Sequence, residues 1–150
     1  MVSGSITLFA GTQGNFFPTT APSACLAAFN TSLSCDVTVQ LLNTQQEWVG
    51  WNQTNLTALC TSNCYNSLVS LESTVSSACG SYAIPFNGAT ISAGQILDYY
   101  QYKYNLTCLA NAGTFCLMEE ATWNIPQMIA DNNATWPTHT NKTYPNWNCA

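Results

Sequence analysis

Cysteine is unusually frequent in this 150-residue chain, and two kinds of chemistry use it at this density: disulfide formation and zinc binding. The eight residues are Cys25, Cys35, Cys60, Cys64, Cys79, Cys108, Cys116 and Cys149. Zinc sites favour closely spaced cysteine pairs, often with histidines. The chain has no Cys-x-x-Cys pair, and His139 is its one histidine, although Cys60 and Cys64 have the i, i+4 spacing of a helical face. We therefore predict disulfides and no metal site, with Cys108–Cys116 as the favoured pair.

The groups available for acid–base or nucleophilic catalysis are few. His139 lies in a Pro- and Thr-rich stretch, where a solvated histidine is the simpler interpretation. The carboxylates are Asp36, Glu47, Glu72, Asp98, Glu119, Glu120 and Asp131. A glycosidase needs two of them on opposite sides of a sugar, and Asp98 with Glu119 is the least implausible pair. We predict no catalytic residues and no cofactor, and a small glycan hydrolase with paired carboxylates remains an alternative.

Aromatic side chains in polar sequence form the second group of interest, because sugar C–H faces stack on aromatic rings. Four tyrosines crowd residues 99–104, so some of them must be exposed if this stretch is a helix. The alternative for every aromatic is packing in the core or under the tail, and for Trp48 we favour the core. The candidate glycan or partner contacts are Trp51, Trp123, Trp136, Trp147, Tyr99 and Tyr102.

Charge is scarce: charged residues make up 6% of the chain, and Lys103 and Lys142 are its two cations. Nucleic-acid surfaces and anionic membranes require clustered Lys and Arg, so both are excluded as partners. Neutral polar residues replace the charges, and six N-x-Ser/Thr sequons predict N-glycosylation. They lie at Asn30, Asn52, Asn55, Asn105, Asn133 and Asn141.

Sequons and cysteines together indicate the secretory route. Residues 1–14 nevertheless lack the basic and apolar regions of a signal peptide, and no apolar run has the length of a membrane span. We expect the chain to be a fragment of a longer protein.

Helical periodicity supplies the elements that position these residues. After Pro22, Cys25, Ala28, Phe29 and Leu33 have helical spacing, and Asp36 is a suitable N-cap for a helix reaching Trp48. The clearest pattern predicts one helix from about Leu56 to Cys79, ended by Gly80. Ser92 and Gln95 form a capping box for a further helix. The Asn87-Gly88 turn signal predicts a hairpin between these two helices.

Three stretches carry a family resemblance. They are Cys25-Leu26-Ala27-Ala28-Phe29 through Ser34-Cys35-Asp36, then Leu59-Cys60 through Cys64-Tyr65 to Cys79-Gly80, then Tyr102-Lys103-Tyr104-Asn105-Leu106-Thr107-Cys108 with Phe115-Cys116. The pattern resembles the Cys-rich module that accompanies LysM domains in secreted fungal proteins. The resemblance implies a fungal extracellular or cell-wall setting. It implies chitin binding for LysM repeats, and no such repeat is visible here.

The sequence as a whole predicts an all-α fold with minor β, a disulfide-stapled helical bundle with a long irregular C-terminal tail. We divide it into an extended lead-in (1–21), a Cys-rich helical module (22–120) and a Trp-, Asn- and Thr-rich tail tied by Cys149 (121–150). The predicted function is a non-catalytic, secreted cell-wall or extracellular-matrix module that contacts neutral polysaccharide or wall proteins. A structural protein that self-assembles as a homo-oligomer is the other alternative.

Overall fold

A computed structural model of the chain describes residues 5–9, 21–43, 51–86 and 89–120. Five α-helices are described: α1 (Ser23–Phe29), α2 (Gln53–Leu59), α3 (Ser62–Cys79), α4 (Ala93–Thr107) and α5 (Cys116–Glu120). The short strands form three antiparallel pairs: β1 (Ile6–Thr7) with β2 (Ser32–Leu33), β3 (Ala83–Phe86) with β4 (Ala89–Ser92), and β5 (Ala110–Asn111) with β6 (Thr114–Phe115). The predicted fold class, mostly helical with minor β, is confirmed, while the tail 121–150 lies outside the described residues.

The two longest helices, α3 and α4, begin and end at residues whose chemistry favours those positions. The Ser92 hydroxyl accepts from the Gln95 backbone N–H at 3.4 Å, and the Gln95 Oε1 accepts from the Ser92 N–H at 2.7 Å. This reciprocal pair is the predicted capping box. Gly80 follows α3 with φ of 54°, a conformation that glycine adopts without a Cβ penalty. The predicted hairpin also forms, with Ile84 opposite Ile91.

The prediction of one helix from Leu56 to Cys79 is wrong, because the chain breaks at Cys60 and Thr61. Thr61 is extended, and its hydroxyl accepts from the Cys64 backbone N–H at 3.2 Å, which caps α3. A threonine that bonds the backbone locally competes with helix continuation. Cys60 and Cys64 therefore do not share one helical face.

The region after α1 also differs from the helical prediction. Leu33 lies in strand β2 rather than on α1, and a 3-10 helix (Val37–Asn43) stands where a second α-helix was predicted. Asp36 does act at its start, since its Oδ1 accepts from the Thr38 backbone N–H at 3.0 Å. Trp48 lies outside the described residues.

The core lies where α3 packs on α4 and on α1. Side chains of α1, α3 and α4 are fully buried there, among them Phe29, Leu68, Leu71, Val75 and Leu97. Removing apolar surface from water stabilises the fold by roughly 25 cal/mol per Å² buried. This burial is the main favourable contribution to the free energy of folding.

The disulfides between described residues are Cys25–Cys79, Cys35–Cys64 and Cys60–Cys108, and each connects segments far apart in the sequence. The predicted disulfide framework is thereby confirmed. The predicted Cys108–Cys116 bond is wrong: Cys108, at the end of α4, bonds Cys60 at the α2–α3 break. The short loop does close, with the Cys116 N–H donating to the Leu109 carbonyl at 2.8 Å, but helix packing decides where the sulfur points.

Cys116 is disulfide-bonded as well. Cys149 lies outside the described residues, so the attachment of the tail through Cys149 stays a prediction.

Residues before the predicted module boundary contribute to the core. Ile6 pairs with Leu33 across β1 and β2, and Leu8 and Phe9 are buried. The Phe9 ring meets Phe29 of α1 edge-on at 5.0 Å and Tyr100 of α4 at 5.4 Å. Residues 5–9 thus contact both α1 and α4, whereas the division at residue 22 stays a prediction.

The Tyr104 hydroxyl connects α4 to the break between α2 and α3. Its Oη lies 2.9 Å from the Thr61 carbonyl oxygen and 3.2 Å from that of Leu59, so it donates to this turn. We expect Tyr104→Phe to lower the free energy of unfolding by about 1 to 2 kcal/mol, because two carbonyls lose a buried donor. Urea unfolding measures it, with exposed Tyr102→Phe as the control. Equal midpoints for both variants would contradict the role given to Tyr104.

Candidate functional site

The sequence predicts neither a metal site nor catalytic residues, and in the described part of the chain the acidic side chains are the groups that bear on both. No three His, Cys, Asp or Glu residues there are grouped to hold a metal ion. Asp36 caps its turn, and Glu72 accepts a hydrogen bond from the Gln101 Nε2 at 2.9 Å. Asp98 is exposed on α4. The side chains of Glu119 and Glu120 are not described, and Glu47 and Asp131 lie outside the described residues. The Asp98–Glu119 pair stays an untested alternative.

The side of α4 that faces away from α3 carries the described aromatic candidates. Tyr99 is 50% exposed and Tyr102 is 61% exposed, and one turn further on Leu106 and Leu109 are 41% and 43% exposed. Their spacings of three and four residues place them along one side of the helix and its C-terminal turn. We call this surface, which also includes exposed Asp98 and Asn105, the α4 outer face.

The opposite side of α4 explains why this surface is held in place. Leu97, Tyr100 and Tyr104 are buried against the core, so they fix the rotation of the helix. The Cys60–Cys108 bond fixes its C-terminal end. Because side chains repeat around a helix every 3.6 residues, burying Tyr100 and Tyr104 turns Tyr99 and Tyr102 toward solvent.

The α4 outer face carries little net charge. The Nζ of Lys103 lies 5.7 Å from the centroid of the Tyr99 ring, within cation–π range, and Lys103 itself is only 8% exposed. Tyr99 is also in edge contact with Tyr100 at 6.2 Å. Tyr99 is therefore restrained by its neighbours, whereas Tyr102 offers the larger exposed ring.

Burial under Phe9, with a smaller effect of Tyr99, raises the pKa of Tyr100 to about 12. Because folding raises the pKa of this phenol, its contribution to the free energy of unfolding is fully present below pH 10 and is lost as the pH rises from 10 through 12. We expect the wild type to lose about 1 kcal/mol more than Tyr100→Phe between pH 9 and 11. Urea unfolding at the two pH values measures this. Parallel losses in both proteins would refute it.

The remaining candidate residues are the tryptophans and the N-glycosylation sequons, and they differ in exposure. Trp51 is partly buried and packs against the core, so it presents less surface than Tyr102. Trp123, Trp136 and Trp147 lie outside the described residues. Of the sequons, Asn30, Asn52 and Asn105 are exposed and Asn55 is half-buried, whereas Asn133 and Asn141 are not described.

Sequence reasoning missed Leu106 and Leu109 as members of the outer face. The signal was available, since they continue the Tyr99 and Tyr102 positions at helical spacing. It was overlooked because the buried stripe of Leu97, Tyr100 and Tyr104 accounts for the apolar periodicity by itself. Among the described helices, none combines the length and apolar character needed to cross a bilayer.

A family model described as the secreted LysM effector N-terminal domain matches residues 15–150. A LysM domain-containing protein of Arthroderma benhamiae is 33% identical over 101 residues, which is 67% of this chain and 18% of that protein.

Two further relatives are named non-secreted LysM effectors. LysM16 of Penicillium expansum is 44% identical over 52 residues, covering 33% of this chain and 17% of its own length. LCP1 of Gibberella moniliformis is 31% identical over 100 residues, covering 64% and 14%. The matched part of this chain thus spans less than a fifth of the length of each of these three relatives, and no solved structure matches it.

Proposed function

The chain belongs to the family of secreted LysM effector N-terminal domains, and from that premise we propose that it is a non-catalytic module of the fungal cell wall or extracellular matrix. Its α4 outer face contacts neutral glycans or wall proteins. Three disulfides agree with the secreted description of the family, because such bonds persist in oxidising compartments. Residues 22–120 form the Cys-rich module in this proposal, and 121–150 its tail.

The observation that carries the proposal is an exposed tyrosine platform on a helix fixed by core packing and a disulfide. Tyr102 supplies a ring on which a pyranose can stack, and Asp98 and Asn105, one turn to either side, offer groups that hydrogen-bond sugar hydroxyls. Rigid placement lowers the entropy cost of binding.

The absence of catalysis is part of the proposal. General acid–base work requires carboxyl groups whose pKa is tuned by burial or by partners. Of the described carboxylates, Asp36 accepts from a turn N–H, Glu72 accepts from the Gln101 amide, and Asp98 lies exposed on α4. A neutral sugar stacked on tyrosine needs none of these perturbed groups.

We expect Tyr99→Ala/Tyr102→Ala to weaken binding to chitohexaose or laminarin by at least about tenfold, which corresponds to the loss of roughly 1.4 kcal/mol of stacking. Titration calorimetry on the folded proteins measures it. The matched control is Val37→Ala, an exposed apolar residue outside α4. Wild-type binding should persist at about 1 M salt, because screening weakens charge contacts and leaves stacking.

Three results would contradict the proposal. Equal affinity of the double variant and the control would remove the α4 outer face from the binding site. Sugar released from either polysaccharide, and lost on Asp98→Asn or Glu119→Gln, would make the protein a hydrolase. Growth of the particle mass with concentration, measured by light scattering, would support self-assembly instead.

A further inference from the structure

The α4 outer face contains a modification signal of its own. Asn105-Leu106-Thr107 is an N-x-Thr sequon, and Asn105 is exposed in the last turn of α4. The exposed apolar residues near it are Tyr102, three residues before it on α4, and Leu106 and Leu109, which follow it. At 3.6 residues per turn, Asn105 lies at the edge of the apolar surface, on the same side as Asp98 and one turn from Tyr102. A glycan on Asn105 would therefore start beside the Tyr102 ring.

Helix geometry determines which neighbouring side chain such a glycan contacts. Side chains in an α-helix tilt toward the N-terminus, so a residue covers the surface of the turn that precedes it. The turn before Asn105 displays Tyr102, the most exposed tyrosine ring of this face. Gln101, the other neighbour there, is turned toward α3, where its amide donates to Glu72. The ring of Tyr102 is thus the surface that the first sugar meets.

We infer that Asn105 carries an N-linked glycan whose first N-acetylglucosamine lies on the Tyr102 ring, where it controls access of external glycans to the α4 outer face. The sugar covers exposed apolar area that is otherwise in water. Intramolecular and external sugars have the same chemistry, so they compete for one ring. The access-control part of this inference rests on the proposed function, whereas the sugar–ring contact does not.

The test uses the whole chain secreted from a eukaryotic host, as wild type, Asn105→Gln and Asn30→Gln. Asn30→Gln is the matched control, since it removes an exposed sequon at the end of α1 and leaves α4 intact. Glycopeptide mapping should show Asn105 occupied. Nuclear Overhauser effects should connect its first sugar to the Tyr102 ring protons and vanish in Tyr102→Leu.

Affinity for chitohexaose then tests access. We expect Asn105→Gln to bind about tenfold more tightly than the wild type, and Asn30→Gln to bind as the wild type does. An unoccupied Asn105, or Tyr102 ring contacts to tryptophans of residues 121–150 instead of sugar, would overturn the inference. Equal affinities would overturn access control and leave the proposed function standing. If neither the wild type nor any variant binds chitohexaose, the proposed function fails. The nuclear Overhauser effects between the first sugar and the Tyr102 ring then test the glycan contact by themselves.

Discussion

Replacing both Cys25 and Cys79 by alanine should lower the free energy of unfolding by about 4 kcal/mol. The bond joins α1 to the end of α3 across a sequence separation of 54 residues. Closing a loop of that length removes conformational entropy from the unfolded chain, and the loop-entropy relation gives about this value. Both cysteines are buried in the core, so lost packing adds to the entropic effect.

This is a large fraction of the roughly 5 to 15 kcal/mol that stabilises a typical domain. Urea unfolding followed by far-ultraviolet circular dichroism measures the change. The matched control is Ser23→Ala/Ser77→Ala, at exposed sites two residues before each cysteine on the same helices, which should shift stability by less than about 0.5 kcal/mol. A double cysteine variant as stable as this control would show that the remaining bonds and the core suffice.

Replacing Phe9 by alanine should cost about 3 to 5 kcal/mol, the range found for buried aromatic residues. Phe9 is 3% exposed and touches Phe29 and Tyr100 with its ring edges, so its removal leaves a cavity between α1 and α4. The lost edge contacts add to the loss of buried area.

The Phe9 variant also tests the predicted boundary at residue 22. If residues 1–21 were an extended lead-in outside the module, Phe9→Ala would change the urea midpoint no more than Val37→Ala does. Val37 is 62% exposed, so its truncation leaves no cavity. A midpoint shift confined to Phe9→Ala would instead extend the module to include residues 5–9.

The prediction of one helix from Leu56 to Cys79 failed because apolar spacing does not show contacts between distant segments of the chain. The helix predicted from Leu56 to Cys79 has continuous apolar spacing, but Thr61 can either continue a helix or cap a new one. The chain takes the second option, and the Tyr104 hydroxyl, 43 residues away along the chain, donates to the turn that results. Periodicity reports which residues face the core, and it is silent about contacts between distant segments.

Local chemistry was sufficient for much of the fold and of the candidate site. The capping box at Ser92, the glycine after α3 and the Ala83–Ser92 hairpin depend on neighbours within a few residues, and each forms as predicted. The oxidised state of the cysteines followed from their number and from the single histidine. That some tyrosines of residues 99–104 must be exposed followed from helix geometry alone.

Tertiary structure decided the rest. Cys108 bonds Cys60 rather than nearby Cys116, because α4 packs over the α2–α3 break and brings those two sulfurs together. Phe9 is a core residue because α1 and α4 converge on it. The same packing turns Tyr100 and Tyr104 inward and leaves Tyr99 and Tyr102 in solvent. Sequence spacing determines which residues share a helix face, but only the docking of one helix on another determines which face meets the core and which remains free to bind.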